Sequence, residues 1–527
     1  AWGIGLPALA GAAAVAGFAP LYAWPVPIAS LAVLFLAWTR SGSPLQAAIT
    51  GFAFGLGLNL AGVSWVFVSL HEFGHMPAAL AAVATFLFCA YLALFPAAAG
   101  WLARRPPAGR QARVLALMPA AFVLLEWVRG WLFTGFPWLV AGYSQAPASP
   151  LAGFAPVVGA YGVSLAVAVA AALLAAFAQS PAWSRPRAVL AAAFVALLGA
   201  GAALKLVPWT EPSGPPLAVA LLQGNVSQHL KWREDVRERT LRDYHAAIVR
   251  SPARVVVLPE TALPAFLDQL PPGYLESLRG HARAAGKDIL IGTVERDARE
   301  GRTAYWNSVV RIGAGADQSY RKRHLVPFGE FIPPGFGWIL AVLQIPLTDF
   351  ARGGATQPPL AAGGAAWGVA ICYEDIFGEE VIDALPQAGV LLNVSNDAWF
   401  GRSLAADQHL QFSQMRALET GRWMVRATNT GVTAAIDETG KVVSRLPAFA
   451  AGDTTTKFIE THFAEWTPSP ESVDSGQSTV DKAPMNIAPT SPWHTKNRFR
   501  IGVAQEARAK SQEPRAKSQE PRSKRST

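Results

Sequence analysis

The chain has 527 residues, of which 51% are apolar and only 15% charged. That is too hydrophobic for an ordinary soluble protein, in which about a quarter of residues carry charge. Its net charge of +9 does not point to nucleic acid, because the excess of positive charge sits in short loops between apolar runs and in the tail, without the interleaved aromatic residues of a base-stacking surface.

Three regions differ in composition. Residues 1–210 are rich in Ala, Leu, Val and Phe, residues 216–450 have globular composition, and residues 451–527 are polar and repetitive. In the first region a spanning helix needs ~20 mostly apolar residues. Seven stretches qualify, at roughly 3–21, 23–39, 45–68, 78–103, 112–133, 158–179 and 187–207. The second is the weakest, being short and opening on Pro25 and Pro27. The first has neither a basic n-region nor a cleavage pattern, and so reads as a retained helix.

Basic residues mark alternate loops. Arg40 follows the second span, Arg104, Arg105, Arg110 and Arg113 the fourth, and Arg185 and Arg187 the sixth, whereas the loops around 69–77 and 134–157 have none. The positive-inside rule then predicts a cytoplasmic N-terminus and an exported region after the seventh span. Within the fifth span, Glu126 and Arg129 are spaced to pair on one helix face. In an outer loop, His71, Glu72 and His75 lack a third strong ligand for a metal. Trp127, Trp131, Phe136, Pro137 and Trp138 read as an interfacial aromatic belt.

From Pro216 the pattern changes. Strands are predicted at Leu217–Gln223, Val255–Pro259, Asp288–Val294, Trp306–Ile312, Gly368–Cys372, Val390–Ser395 and Val432–Asp437, with helices at 233–250, 272–286 and 405–427. Alternating strands and helices imply an α/β layered fold. Cys372 is one of two cysteines, and the other, Cys89, lies within the fourth span. In an oxidising compartment an unpaired thiol is either buried and inert or kept for its reactivity. The run Trp367–Asp375 ends a strand on that cysteine, a placement that presents a nucleophile beside free backbone N–H groups.

Two other strands end on unexpected charge. Val255–Leu258 runs into Pro259 and Glu260, where desolvation would raise the carboxyl pKa and suit a general base. The stretch from Tyr320 holds Lys322 among basic and aromatic residues and closes on Glu330; a fixed ammonium can steady an oxyanion. Phe331–Leu340, which includes Trp338, is too apolar for a water-facing loop and reads as a lid or a dip into the outer leaflet, with a core helix as the alternative.

The motifs around Glu260, Lys322 and Cys372 together resemble the nitrilase, or carbon–nitrogen hydrolase, superfamily, whose fold is an αββα sandwich. Seven spans ahead of an exported domain narrow the resemblance to the apolipoprotein N-acyltransferase family. Leu221–Asn225, Leu258–Thr261, Leu325–Glu330, Cys372–Glu374 and Asn396–Gly401 match its pattern. The resemblance implies Glu260 as base, Lys322 as oxyanion stabiliser and Cys372 as nucleophile, with Glu330, Tyr373 and Glu374 in supporting positions. Trp232, Asn307 and the lid residue Trp338 are then expected near substrate. It also implies a bacterial inner-membrane enzyme with its catalytic domain in the periplasm. A phospholipid, typically phosphatidylethanolamine, would donate its sn-1 acyl chain to the thiol, and the α-amine of a diacylglyceryl-modified apolipoprotein cysteine would receive it. No metal or other cofactor is expected. A membrane-tethered amidase that transfers to water and a non-enzymatic scaffold are the rival readings. The family closes with an eighth span, whereas after Asp453 this chain reads as disordered low-complexity sequence, either a natural tail or the out-of-frame remnant of that span.

Overall fold

The computed structural model describes residues 3–299, 302–333, 335, 349–449, 463–465 and 485–487. The disorder expected of 451–527 and the lid expected of Phe331–Leu340 therefore fall largely outside the described residues, and Trp338 does so entirely.

The N-terminal region is a bundle of apolar helices: α1 (Gly5–Ala14), α2 (Pro25–Arg40), α3 (Pro44–Gly62), α4 (Ala78–Arg104), α5 (Arg110–Arg129), α6 (Ala155–Gln179) and α7 (Arg185–Leu204). Helices α3 to α7 are long and apolar enough to cross a membrane, whereas α1 and α2 are shorter. At 1.5 Å per residue, helix α2 reaches only ~24 Å of a ~30 Å hydrocarbon core. Between these two helices the chain contacts the second domain. The linker between them is held there by the Ala19 N–H donating to Gln411 Oε1 (2.9 Å) and the Tyr22 hydroxyl donating to Gln414 Oε1 (2.9 Å). Small residues let the bundle close without a hydrophobic driving force between helices. A Cβ on Gly51 would lie 2.2 Å from the Pro96 carbonyl oxygen, and one on Gly57 2.0 Å from that of Ala8.

The expected Glu126–Arg129 pair does not close. Both side chains are buried, and Glu126 Oε1 accepts instead from the Ala141 N–H at 3.0 Å. The backbone group at a helix-to-loop turn out-competes a side chain that must bend along its own helix.

Residues 216–449 fold into two stacked sheets. The first contains β1 (Val219–Leu222), β2 (Val255–Val257), β3 (Asp288–Arg299), β4 (Arg302–Ile312) and β5 (Gln318–Arg321) in that order, with the short strand Phe463–Glu465 beside β1. β1, β2 and β3 are parallel; β4 and β5 add on antiparallel. The second sheet comprises β6 (Leu360–Ala362), β7 (Ala365–Ile371), β8 (Val390–Ser395), β9 (Trp423–Thr428), β10 (Ala434–Ile436) and β11 (Val442–Arg445), with β7, β8 and β9 parallel at its centre.

Side-chain alternation sets the layers. Val255 and Val257 pack with Val309, Trp367, Leu392 and Val425 between the sheets. Val256 and Leu258 point the other way, against Leu241 and Ile248 of α8 (Glu234–Arg250) and Leu278 of α9 (Tyr274–Ala285). On the far face, Leu391 and Met424 meet Leu410 and Ala417 of α10 (Ala405–Thr420). Strands buried on both faces are the condition for a parallel sheet covered by helices, and the result is the expected αββα sandwich.

The helix predicted over 405–427 is corrected. It stops at Thr420, where Gly421 takes a left-handed φ of +60°, and the chain continues as strand β9. Arg426 in that strand disguised it, because a fully buried arginine breaks the apolar pattern of a central strand.

The sandwich sits on one end of the helix bundle. Ser69 Oγ donates to the Trp399 carbonyl (2.8 Å), Trp138 Nε1 to Gln408 Oε1 (2.7 Å) and the Tyr143 hydroxyl to the Ile376 carbonyl (2.7 Å). The bundle loops making these contacts are the ones without Lys or Arg close to the sandwich, while Arg40 and Arg104 terminate α2 and α4 at the opposite end.

Candidate active site

Cys372 ends strand β7 in a left-handed turn with φ of 52°, an uncommon conformation for a side chain with a Cβ. The turn is held from below, where the Cys372 carbonyl accepts from Asn393 Nδ2 (2.9 Å) and contacts His409 Nε2 (3.2 Å). The thiol is nine-tenths buried. Burial and then the negative charge of Glu260 push its pKa up; Lys322 and a hydrogen bond from Ser395 pull the other way without winning. The resting group is therefore a thiol, which would need a base in order to react as a nucleophile.

Two buried carboxylates, Glu260 and Glu374, and the partly buried Glu330 lie around it, and their hydrogen bonding differs. Glu374 is saturated: Oε2 accepts from the Ile371 N–H (2.7 Å) and the Tyr320 hydroxyl (3.0 Å), and Oε1 from the N–H groups of Arg323 (2.7 Å) and His324 (3.0 Å). It clamps the end of β7 to the segment carrying Lys322. Glu330 accepts from Lys322 Nζ (2.8 Å), Asn307 Nδ2 (3.0 Å) and the Val326 N–H (2.8 Å). Glu260 has the most acceptor capacity to spare. Its Oε1 accepts from Asn307 Nδ2 (2.7 Å) and its Oε2 from the Asn396 N–H (2.8 Å), with Lys322 Nζ at 4.0 Å. A carboxylate offers about four acceptor sites, so Glu260 can still receive a proton.

The strand ends bring these groups together. Glu260 follows β2, and Gly292 of the neighbouring strand permits the approach, since a Cβ there would lie 2.2 Å from the Pro259 carbonyl oxygen. Burial raises the Glu260 pKa; Lys322 opposes the shift and Glu330 adds to it. Lys322 follows β5 and is 1% exposed. Burial disfavours its charge, but Glu330 and Glu260 outweigh that and hold its pKa above the ordinary lysine value. It is therefore a permanent ammonium.

Of the remaining expected residues, Asn307 on β4 bridges Glu260 and Glu330 from a buried position. Tyr373 is buried, and its hydroxyl donates to the Gly135 carbonyl of the helix bundle (3.1 Å), so the residue next to Cys372 ties the site to the membrane region. Trp232 is 45% exposed and joins none of these bonds.

Two features escaped sequence reasoning. Lys231, the neighbour of Trp232, is 1% exposed. Its pKa is lowered to about 8 by burial, with Glu260 opposing. Its segment is tied beside Glu260: the Asn225 N–H donates to the Asn429 carbonyl (2.6 Å), and Asn396 Nδ2 donates to Gln228 Oε1 (2.9 Å). The second feature lies behind the thiol. Arg426 Nη2 binds Asp397 Oδ2 (2.9 Å), Arg426 Nη1 binds Asn393 Oδ1 (2.8 Å), and His409 bridges Asp397 Oδ1 and Asp375 Oδ1 at 3.0 Å each. The run Asn396–Gly401 was legible as a motif, yet nothing in one sequence links Asp397 to an arginine 29 positions on.

Two six-stranded sheets with glutamate, lysine and cysteine converging from three strand ends define a carbon–nitrogen hydrolase domain, and residues 218–461 match the family model described as carbon-nitrogen hydrolase. Residues 10–173 match the model described as apolipoprotein N-acyltransferase N-terminal domain. An apolipoprotein N-acyltransferase of Nitrosomonas europaea is 53% identical over 83% of this chain and 88% of its own length. One from Chromobacterium violaceum is 46% identical over 84% and 85%. The chain belongs to the apolipoprotein N-acyltransferase family. Among solved structures, the C. elegans NitFhit protein is similar over 45% of this chain and 59% of its own, at 19% identity and a TM-score of 0.36, too low for an argument of its own.

Proposed function

We propose that this membrane enzyme transfers a fatty acyl chain from a phospholipid to the α-amine of the N-terminal diacylglyceryl-cysteine of lipoproteins, through a thioester on Cys372. The observation that carries the reading is the convergence on one buried thiol of a carboxylate with spare acceptor capacity and a permanent ammonium, directly against a helix bundle built to lie in lipid.

In the first half-reaction Glu260 takes the Cys372 proton as sulfur attacks the ester carbonyl carbon. The carbonyl oxygen becomes an oxyanion, for which Lys322 is the available cation. The intermediate collapses, the ester C–O bond breaks, and Glu260 returns the proton to the leaving glycerol oxygen, releasing a lysophospholipid. In the second half-reaction the acceptor amine attacks the thioester and gives a proton to Glu260. The C–S bond breaks, and the proton passes to the departing sulfur. One carboxylate thus serves both halves, and the thioester splits one difficult transfer into two easier ones. Glu330, Glu374 and Asn307 position the three working groups. Trp232 and Trp338 are proposed to contact substrate.

The donor is proposed to be phosphatidylethanolamine and the location the bacterial inner membrane, with the sandwich in the periplasm. The arginine-free loops meeting the sandwich support this orientation.

The test is a product balance in proteoliposomes containing phosphatidylethanolamine and a diacylglyceryl-cysteine peptide. Lysophospholipid and N-acylated peptide should form in equal amounts, and without peptide turnover should stop after one acyl group per enzyme. Continued release of free fatty acid without peptide would mean transfer to water and would overturn the acyltransferase reading.

A further inference from the structure

At the end of the helix bundle away from the sandwich, the ends of α2, α4, α5 and α6 line a half-open cavity of about 300 Å³, with Arg40 and Arg110 exposed at its mouth and Arg104 and Arg113 partly buried. Its walls carry Arg40, Arg104, Arg110 and Arg113, with Gln179 as the main neutral polar group. Four guanidinium groups around one small space repel each other unless something negative compensates them.

Among the described residues, the helix bundle offers little charge of that sign. Residues 1–210 contain only two carboxylates, Glu72 and Glu126. Glu72 lies in the turn Ser69–Phe73, beside the sandwich, and Glu126 is spent on the Ala141 N–H. Among the described residues no carboxylate forms an ion pair with Arg104, Arg110 or Arg113. What they do bind is neutral: Arg104 Nη2 donates to the Ser41 carbonyl (2.6 Å), Arg113 Nη2 to the Pro106 carbonyl (3.2 Å), and Arg110 to Gln179 Oε1. These bonds fix the side chains yet leave donors over. The Nε atoms of Arg104 and Arg113 are buried without any hydrogen-bond partner, which is costly for a charged group.

We propose that this cavity binds the phosphate group of an anionic phospholipid headgroup, from the leaflet opposite the catalytic domain. Several oriented guanidinium forks suit phosphate oxygens, and basic pockets between spanning helices recognise such headgroups. Position supports a lipid source, because Arg40 and Arg104 sit at the last residues of α2 and α4, where the apolar helix surface ends and headgroups lie. A topology signal alone would require basic residues anywhere in these loops, not convergence on one cavity. The proposal is independent of the acyl-transfer chemistry and can fail or stand without it.

The test uses the full chain in phosphatidylcholine nanodiscs doped with phosphatidylglycerol, with protein-bound lipid read by native mass spectrometry. The protein should retain phosphatidylglycerol preferentially, and Arg104→Gln/Arg113→Gln should lower retention by about tenfold or more. Arg104→Lys/Arg113→Lys should keep most of it, separating lost charge from lost folding. Arg105→Gln removes one positive charge from the same loop, at a side chain that instead stacks over Trp101, and should change nothing. Equal retention by all variants, or an equal drop in Arg105→Gln, would overturn the site. Displacement of the lipid by millimolar inorganic phosphate would overturn the lipid source and assign the cavity to a free anion.

Discussion

Two buried charge clusters flank Cys372, and they are built differently. In front lie Glu260, Lys322, Glu330 and Asn307, where one carboxylate keeps acceptor capacity and sits 4.0 Å from the nearest ammonium. Behind lie Arg426, Asp375, Asp397 and His409, where the carboxylates are paired at hydrogen-bond distance. There, burial disfavours the Asp397 charge, but Arg426 and His409 outweigh it and hold the carboxyl well below its usual range. His409 is pushed up, because Asp375 and Asp397 overcome burial and the repulsion of Arg426. A cluster whose carboxylates are fully paired fixes geometry, while one whose carboxylate keeps acceptor capacity can move protons. On the proposed mechanism, that difference puts the chemistry in front and the rigidity behind.

The largest effects should come from the front cluster and fall on turnover. Glu260→Gln should lower the rate of acyl transfer by ~10²–10⁴-fold, and Lys322→Met by ~10²–10³-fold, with melting temperature little changed. Steady-state kinetics beside thermal melts would check this; a fall in rate explained wholly by unfolding would erase the contrast.

Arg426→Met should act the other way. Leaving Asp375 and Asp397 buried without their cation costs about 3–5 kcal/mol, visible as a lower melting temperature, while the folded fraction keeps near-normal turnover. A stable but inactive variant would move Arg426 into the chemistry.

A smaller effect concerns pH. Glu260 must be ionised to act as base, and its pKa is raised, so activity should fall on acidification at a higher pH than for an ordinary glutamate. Lys231 is cationic below about pH 8 and favours the Glu260 carboxylate. Removing it in Lys231→Met should raise the Glu260 pKa further and shift the acidic limb of the rate profile to higher pH. An unmoved limb would remove Lys231 from the front cluster. The smallest effect belongs to Tyr373→Phe, which deletes one hydrogen bond to Gly135 worth ~0.5–1.5 kcal/mol and should lower thermal stability modestly.

The same contrast explains what the sequence could reveal. Glu260, Lys322 and Cys372 were legible because each interrupts or ends an apolar strand with a group that has no local reason to be there. The layers were legible from the alternation in Val255–Leu258. The back cluster was not, since Asp375, Asp397, His409 and Arg426 meet only through the sheet register and the packing of α10. Strand β9 was lost for the same reason: its buried arginine reads as helix polarity until its partners are known. In the membrane region the positions of the apolar helices and the charge asymmetry of their loops could be read directly. That α2 is short could be read from its length and its prolines, but that the linker between α1 and α2 is tied to α10 could not, because its partners lie 392 residues away.

The central claim is that the thiol of Cys372 carries the acyl chain between two substrates. Intact-protein mass spectrometry after incubation with phospholipid alone measures it directly. The account predicts a mass increase of one acyl group, mapped to Cys372, absent in Cys372→Ala and discharged on adding a diacylglyceryl-cysteine peptide. An unmodified Cys372 in protein that still forms N-acyl peptide would contradict it.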